Sequence, residues 1–585
     1  MRRKNLFLVV SLLTVLGLLL VSCAPTVAPT PTPKPAAPAA KPAAPTAKPA
    51  APAPTKAPAP AATKAPAAAP TPKPAAPAPS PKPAGDQPRY GGILTTAMYA
   101  DMPSFDVHQE NTFLTQCTAQ PCYNNVIYYD PQDPEKIIGD LAEKWEVSSD
   151  GLTYTFHFRK GVKFHDGTPF TAEDAKLSLE RLYDPPKGIR SPLQDFLRAI
   201  GKVEASDKDT LKVTLKFQYA PFLDAMALGQ MVMYPKHVVE AKGHMKNDIV
   251  GTGPFKLKDY ASGVYFEVVK NPDYFIKGRP YLDGIKMYLV KDDGTRLATF
   301  RTGQVKFLGP LVSSAGIKPS QARVIEKEMP QAKIYRFNAL SSRWLDMVTN
   351  KPPFNDVRLR QAVSIAIDRQ TAIKVLLDGE GEIGAQFSPS QWSIPKEELG
   401  KRPGYRQPKD ADIAQAKKLL AEAGFPNGLK TRILARANYT EDVALYCKDQ
   451  LSKIGIELEL VVRESSVFLS LLNELVFETV SQPMGLRTAD PDYLARFYHS
   501  KGATPWMGLN DKTIDDLFAK EASAMDPAER KKYLRQMEDR LLELAPNVIL
   551  FWANGIMASW PEVRNFKPGI SIYNNNKYAD VWLAK

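Results

Sequence analysis

The sequence predicts a mixed α/β fold in a large C-terminal region, preceded by a short apolar leader and a disordered Pro/Ala-rich tether. Three observations predict it. From Asp86 to Lys585 the chain alternates strand-like and helix-like periodicities throughout. Those 500 residues exceed what one core usually serves, so the region should divide. Residues 24–85 collapse to little more than Ala, Pro, Thr and Lys, which have too little to bury to offset their ordering entropy.

The elements follow in chain order. Arg2, Arg3 and Lys4 form a basic head before a 16-residue apolar run, Leu6 to Val21. A spanning helix needs roughly 20 apolar residues, so residues 1–22 read as an export signal peptide. The run ends in Leu20-Val21-Ser22-Cys23, which resembles a bacterial lipobox. The resemblance implies lipidation at Cys23, where each buried acyl CH₂ contributes about 0.8 kcal/mol to membrane anchorage. The expected place is the outer, periplasmic or extracellular face of the cytoplasmic membrane. No other apolar stretch is long enough to span.

The tether (23–87) repeats units such as Lys41-Pro-Ala-Ala-Pro. Such proline density favours polyproline II at about 3.1 Å per residue, so 62 residues reach on the order of 190 Å when extended. Of the net charge of +13, three cations sit in the leader and seven lysines in the tether, which leaves the remainder close to balance. Basic residues clustered on one face are what nucleic-acid binding requires, and that signal is absent.

In the folded region Thr153–Phe158 and Leu211–Phe217 alternate as half-buried strands. Thr171 followed by Asp174 marks the start of a helix to about Tyr183. The spacing predicts one long helix over 356–377 and another over 410–423, stopped by Gly424 and Pro426. A helix over 440–453 leads into a strand over 456–462. Cys117 and Cys122 flank Pro121, and an exported protein keeps disulfides, so this pair is a candidate bridge. Two cysteines and six scattered histidines are too few together for a metal site, and no cofactor is expected.

Several blocks then carry a resemblance. They are Leu141-Ala-Glu-Lys-Trp-Glu-Val147 and the run Asp150-Gly-Leu-Thr-Tyr-Thr-Phe158 with its continuation through Phe164-His-Asp-Gly-Thr-Pro-Phe170 to Asp174. Gly251-Thr-Gly-Pro-Phe255, Asn271-Pro-Asp-Tyr-Phe275, Pro353-Phe-Asn-Asp-Val-Arg-Leu-Arg360 to Arg369, and Ala545-Pro-Asn-Val-Ile-Leu-Phe-Trp552 add to them. Together they resemble the family 5 extracellular solute-binding proteins, the peptide, nickel and oligosaccharide receptors of ABC importers. The resemblance implies a two-lobed periplasmic-binding-protein-like clamp of class II with an extra intervening domain. Lobe I would comprise 88–130, 248–340 and 546–585, lobe II 131–247, and lobe III 341–545. It also implies a non-enzymatic, monomeric receptor that takes a small-molecule or oligopeptide ligand and works with an ABC permease and ATPase. The alternatives are a surface sensor or adhesion protein using the same clamp, and an oligosaccharide receptor.

The chain departs from the peptide receptors at one place. Those proteins commonly carry a Trp three residues before an Asp that pairs with the peptide's α-amino group, ahead of an Asp/Glu-Pro turn. Here the stretch is Met484-Gly-Leu-Arg487-Thr-Ala-Asp490-Pro491-Asp492. The Asp490-Pro491 turn puts Met484 at the Trp position and Arg487 at the Asp position. An arginine there would repel an ammonium group. Arg487 therefore either faces the cleft, toward a carboxylate, phosphate or hydroxyl-rich ligand, or forms a structural ion pair with Asp490 or Asp492. Phe113, Trp392, Met484, Arg487 and Asp490 are the candidate ligand-binding residues, the first two because relatives line their pocket with these segments.

Enzyme signatures are missing. Gly379-Glu-Gly-Glu-Ile-Gly384 has dinucleotide spacing but follows a helix and carries two glutamates that would repel a pyrophosphate, so it reads as a loop.

Overall fold

In a computed structural model of the chain, residues 87–584 are described apart from 111, 190, 313–315, 570, 572, 575 and 576. The leader, Cys23 and the tether to residue 86 lie outside the described residues. Strand β1 (Ile93–Met98) and helix α1 (Phe113–Ala119) lead into a hairpin of β2 (Ile127–Asp130) and β3 (Asp133–Gly139).

A small antiparallel domain follows, built from β4 (Ala142–Val147), β5 (Thr153–Phe158), α2 (Ala172–Tyr183), β6 (Ile200–Asp207) and β7 (Thr210–Leu215). Its strands lie in the order β4-β5-β7-β6. Strand β5 buries Tyr154, Phe156 and Phe158, as its two-residue alternation requires. Helix α2 starts where expected: the Asp174 carboxylate accepts from the Thr171 backbone N–H at 2.8 Å and its hydroxyl at 2.9 Å.

All but two of the remaining strands form one large mixed sheet; Val563–Arg564 and Trp582–Leu583 pair separately. The large sheet takes in β8 (Phe255–Ala261), β9 (Tyr265–Lys270), β10 (Gly284–Leu289), β11 (Phe307–Leu308) and β12 (Lys333–Met347). After helices α3 (Val357–Ala366) and α4 (Arg369–Leu376) come β13 (Gly381–Glu382), α5 (Asp410–Glu422) and β14 (Leu429–Arg436). Then follow α6 (Glu441–Ser452), β15 (Ile456–Arg463) and β16 (Thr479–Gly485). Helices α7 (Ala495–Tyr498), α8 (Lys512–Ser523) and α9 (Pro527–Leu544) precede β17 (Asn547–Ser559). The sheet order is β15-β14-β16-β12-β17-β11-β1-β10-β9-β8, with β13 paired to β17.

The two ends of this sheet are the two lobes, and β12 and β17 run through both. Residues 333–338 of β12 pair with the first lobe's half of β17, and 341–346 with the second lobe's half. The register slips between Asn338 and Ser341, where Leu340 adopts φ +52°. A branched side chain in that left-handed region is uncommon, and the Asn338 side chain supports it by accepting from the Leu340 N–H at 2.9 Å.

The cores follow this division. Phe255, Ile285, Phe307 and Phe566 belong to the cluster under the first lobe, and Val363, Leu451 and Phe551 to one under the second. A further cluster joins Phe156 and Leu179 of the small domain to Trp344 and Phe497 of the second lobe.

Two expectations are corrected. The single helix over 356–377 is two, because Asp368 caps a new helix by accepting from the N–H groups of Gln370 and Thr371. Buried Arg369 then donates to the carbonyls of Ile549, Ser364 and Gly404, which fixes the break. The Cys117–Cys122 bridge is absent, and both residues are buried thiols. Pro121 does not break the helix. It occupies the first turn of a 3₁₀ segment, Gln120–Cys122, that continues α1, where its missing N–H costs nothing. Five residues along this helical path put the two side chains on opposite sides rather than on one face.

Candidate functional site

Strand β16 pairs with β12 to Gly485, and the next residue donates its N–H to the Leu340 carbonyl at 2.8 Å. This delivers Arg487 to the seam between the lobes. Its side chain is buried, and its guanidinium carbon lies 5.3 Å from the centre of the Tyr573 ring. Tyr573 comes from the C-terminal segment, which packs on the first lobe through Phe566 and Tyr578. The Gln120 side-chain amide donates to the Tyr573 carbonyl at 2.6 Å. Burial pushes the Tyr573 hydroxyl up to about 12, and the Arg487 charge works against that rise.

A second set of aromatic and cationic groups adjoins the first. Tyr99 of the first lobe stacks on Phe113 at 5.9 Å. Burial raises the Tyr99 hydroxyl, with a further push from Tyr439 and an opposing pull from Arg436, both of the second lobe. Arg436 and Arg343 lie 5.0 and 5.8 Å from the Tyr439 ring centre. Tyr439 also adds slightly to the rise of the Tyr573 hydroxyl. The Arg436 Nε donates to the Ser465 hydroxyl at 2.8 Å. Among the described residues, no carboxylate lies within ion-pair distance of Arg343 or Arg436. The seam therefore gathers three guanidinium groups among tyrosines.

The acids beyond Arg487 are engaged elsewhere. Asp490 receives two hydrogen bonds from Arg530, at 2.6 and 2.7 Å. Asp492 is held by Arg198 at 2.8 Å and by the Tyr219 hydroxyl at 2.5 Å. These pairs tie the Asp490-Pro491-Asp492 turn into the scaffold.

The other sequence candidates scatter. Asp490 and Trp392 line a separate cavity of about 740 Å³ with Tyr129, Asp224 and Phe337. Trp392 sits under the Arg530 guanidinium at 5.0 Å. Within that cavity burial lifts the Asp224 carboxyl to about 6, aided by the charge of Asp490. Met484 is buried in the core cluster that contains Trp344 and Phe497. Phe113 and Arg487 thus belong to the seam, Trp392 and Asp490 to the cavity, and Met484 to the core. Tyr99, Arg343, Arg436, Tyr439 and Tyr573 were not singled out by the sequence, because no short motif joins residues this far apart in the chain. The described residues hold no cluster of three or more His, Cys, Asp or Glu suited to a metal. None of the described helices is long and apolar enough to cross a membrane.

Comparison with known proteins agrees with this architecture. The family model described as "Bacterial extracellular solute-binding proteins, family 5 Middle" matches residues 136–505. The chain is 28% identical over 466 residues to the glutathione-binding protein GsiB of Escherichia coli, covering 77% of this chain and 87% of that one. Among solved structures it is similar to the periplasmic binding protein DppA of Helicobacter pylori in complex with the peptide STSA. That match has a TM-score of 0.73 and 26% identity, covering 85% of this chain and 99% of the other. It is also similar to AgaA of A. tumefaciens R10 in complex with agropinic acid, with a TM-score of 0.70 and 28% identity over 84% and 99% of the chains.

Proposed function

The chain belongs to the family 5 bacterial extracellular solute-binding proteins, and from that premise we propose that its interlobe seam captures a small solute through a carboxylate. Family membership makes it a binding protein of ABC import rather than an enzyme. The observation that carries the ligand class is Arg487 packed over the Tyr573 ring across the seam, with Arg343 and Arg436 over the Tyr439 ring. An ammonium group finds a positive charge at the Arg487 position where relatives carry an acid, whereas a carboxylate is attracted by it. The tyrosine rings supply apolar faces and hydroxyls for the rest of the solute. Glutathione and agropinic acid, named for two relatives, are both acids, which supports the same class.

Closure follows from differential affinity. A ligand that touches both lobes favours the state in which both touch it, and the irregular Asn338–Ser341 step in β12 is the place for the chain to bend. We assign lobe I to 88–130, 248–340 and 554–585, lobe II to 131–247 and lobe III to 341–553, which moves the first half of β17 to lobe III because it pairs with 341–346. Lipidation at Cys23 would anchor the chain on the outer face of the membrane, with the tether giving reach to a permease and its ATPase.

Calorimetric titration of the full chain with glutathione, a sugar-derived carboxylic acid, a neutral sugar and an uncharged blocked dipeptide tests the reading. The acids should bind and their methyl esters should not. Equal binding of acid and ester, or binding of the neutral sugar alone, refutes it.

A further inference from the structure

A cavity of about 400 Å³ lies between the small antiparallel domain and the second lobe. It shares no lining residue with the 740 Å³ cavity, and none of the seam residues faces it. Its size suits a small organic ligand. Its walls are aromatic: Phe196 and Phe217 come from the small domain, Tyr493 and Phe518 from the second lobe. Phe196 and Tyr493 pack at 5.2 Å, while Phe217 keeps 39% of its surface exposed.

The charge in this cavity is unbalanced. Asp492 is already committed to Arg198 and Tyr219. Arg496 and Lys501 also line the cavity, and among the described residues neither has a carboxylate within ion-pair distance. The Arg496 Nε is buried without a hydrogen-bond partner, and its guanidinium stacks on Tyr493 at 5.5 Å and Phe497 at 5.6 Å. Leaving such a donor unsatisfied is costly unless something fills the site. Asp195 is the only other acid on the lining.

The site is also held in shape. The loop after α7 returns onto that helix, with the Thr504 N–H donating to the Arg496 carbonyl at 2.9 Å. Gly502 permits this approach, since a Cβ there would press on the carbonyls of Ala495 and Arg496.

We propose that this cavity is a second ligand site, for a small amphipathic carboxylate. Its aryl or short alkyl body lies among the four rings, and its carboxylate accepts from Arg496 and Lys501. The site is independent of the solute seam.

The test uses the full chain with 3-phenylpropionate as probe and 3-phenylpropanol as its uncharged counterpart, read by ligand-observed NMR titration. The acid should bind at least about tenfold more tightly than the alcohol, as a charge-assisted contact implies. Arg496→Gln should erase that preference. Ala519→Trp should abolish binding by filling the cavity mouth from an exposed position that leaves the core untouched. Binding should persist in Arg487→Gln. The proposal is overturned by binding that survives Ala519→Trp, by binding lost in Arg487→Gln, by equal affinity for acid and alcohol, or by no binding at millimolar probe.

Discussion

Arg487 and Tyr573 meet across the seam of the clamp, the guanidinium carbon 5.3 Å from the ring centre, one residue from each lobe. The pair brings the charge of one segment against an aromatic ring of another. On the proposed reading, a buried guanidinium at this place favours an anionic solute and opposes a cationic one.

The first prediction follows directly. Arg487→Gln should weaken binding of an acidic ligand by roughly ten- to hundredfold, the range for losing a charge-assisted hydrogen bond. Arg487→Lys should fall between the two, since it keeps the charge but not the planar fork or the ring stacking. Calorimetry on the three proteins checks the order. A glutamine variant that binds as well as the parent removes Arg487 from the site.

Tyr573 is positioned from behind by Gly229. A Cβ at residue 229 would overlap the Gln120 side-chain amide and the Tyr573 carbonyl, the two groups that hydrogen-bond at 2.6 Å. Gly229→Ala should therefore destabilise the fold by about 1–3 kcal/mol, as overpacking does, and shift the seam's aromatic wall. Urea unfolding reads the first effect and ligand titration the second. A loss of stability with unchanged affinity would separate Gly229 from the site.

Much of the fold was legible because its signals are local. Thr171 and Asp174 announce a helix start within four residues, and β5 alternates within six. Asp368 was the exception: it reads as one more helical residue until its carboxylate turns back to cap α4. The site was legible at Arg487, where an adjacent Asp-Pro turn fixed the register, and at Phe113, through the resemblance alone. Its companions Tyr99, Tyr439 and Tyr573 lie hundreds of residues apart in sequence and meet only through sheet topology. Asp490 carries a partner that its motif does not announce: it lines the 740 Å³ cavity while accepting two hydrogen bonds from Arg530, forty residues on.

The cysteines give a third prediction. Burial raises the Cys117 and Cys122 thiols, and pushes Cys447 up to about 12, so little thiolate forms at neutral pH. None of the three should react with iodoacetamide in the native protein. After denaturation without reductant, all three should be alkylated, as mass spectrometry of the peptides would show. If Cys117 and Cys122 are alkylated only after reduction, the two residues are bridged after all.

The last prediction concerns Asp346, which lies inside the sheet where β12 meets β16 and β17. Burial raises its carboxyl to about 7, with hydrogen bonds from Gln482 and Asn547 working against the rise. In the unfolded chain the group ionises near 3.8. Between about pH 4 and 7 the folded protein thus keeps a proton that the unfolded chain has lost. The stability carried by that proton is complete below about pH 4, and it declines with rising pH by at most about 1.4 kcal/mol per unit. The decline ends once the folded carboxyl ionises as well. Asp346→Asn keeps the shape and removes the proton, so the stability of the variant relative to the parent should climb between pH 4 and 7 and level off above. Glu538 is raised to about 7 and His108 lowered to about 4, so they add opposite trends. Both groups remain in each protein, and the difference between the two unfolding curves isolates Asp346. Parallel curves across that window would show that the buried carboxyl is ionised in the folded state.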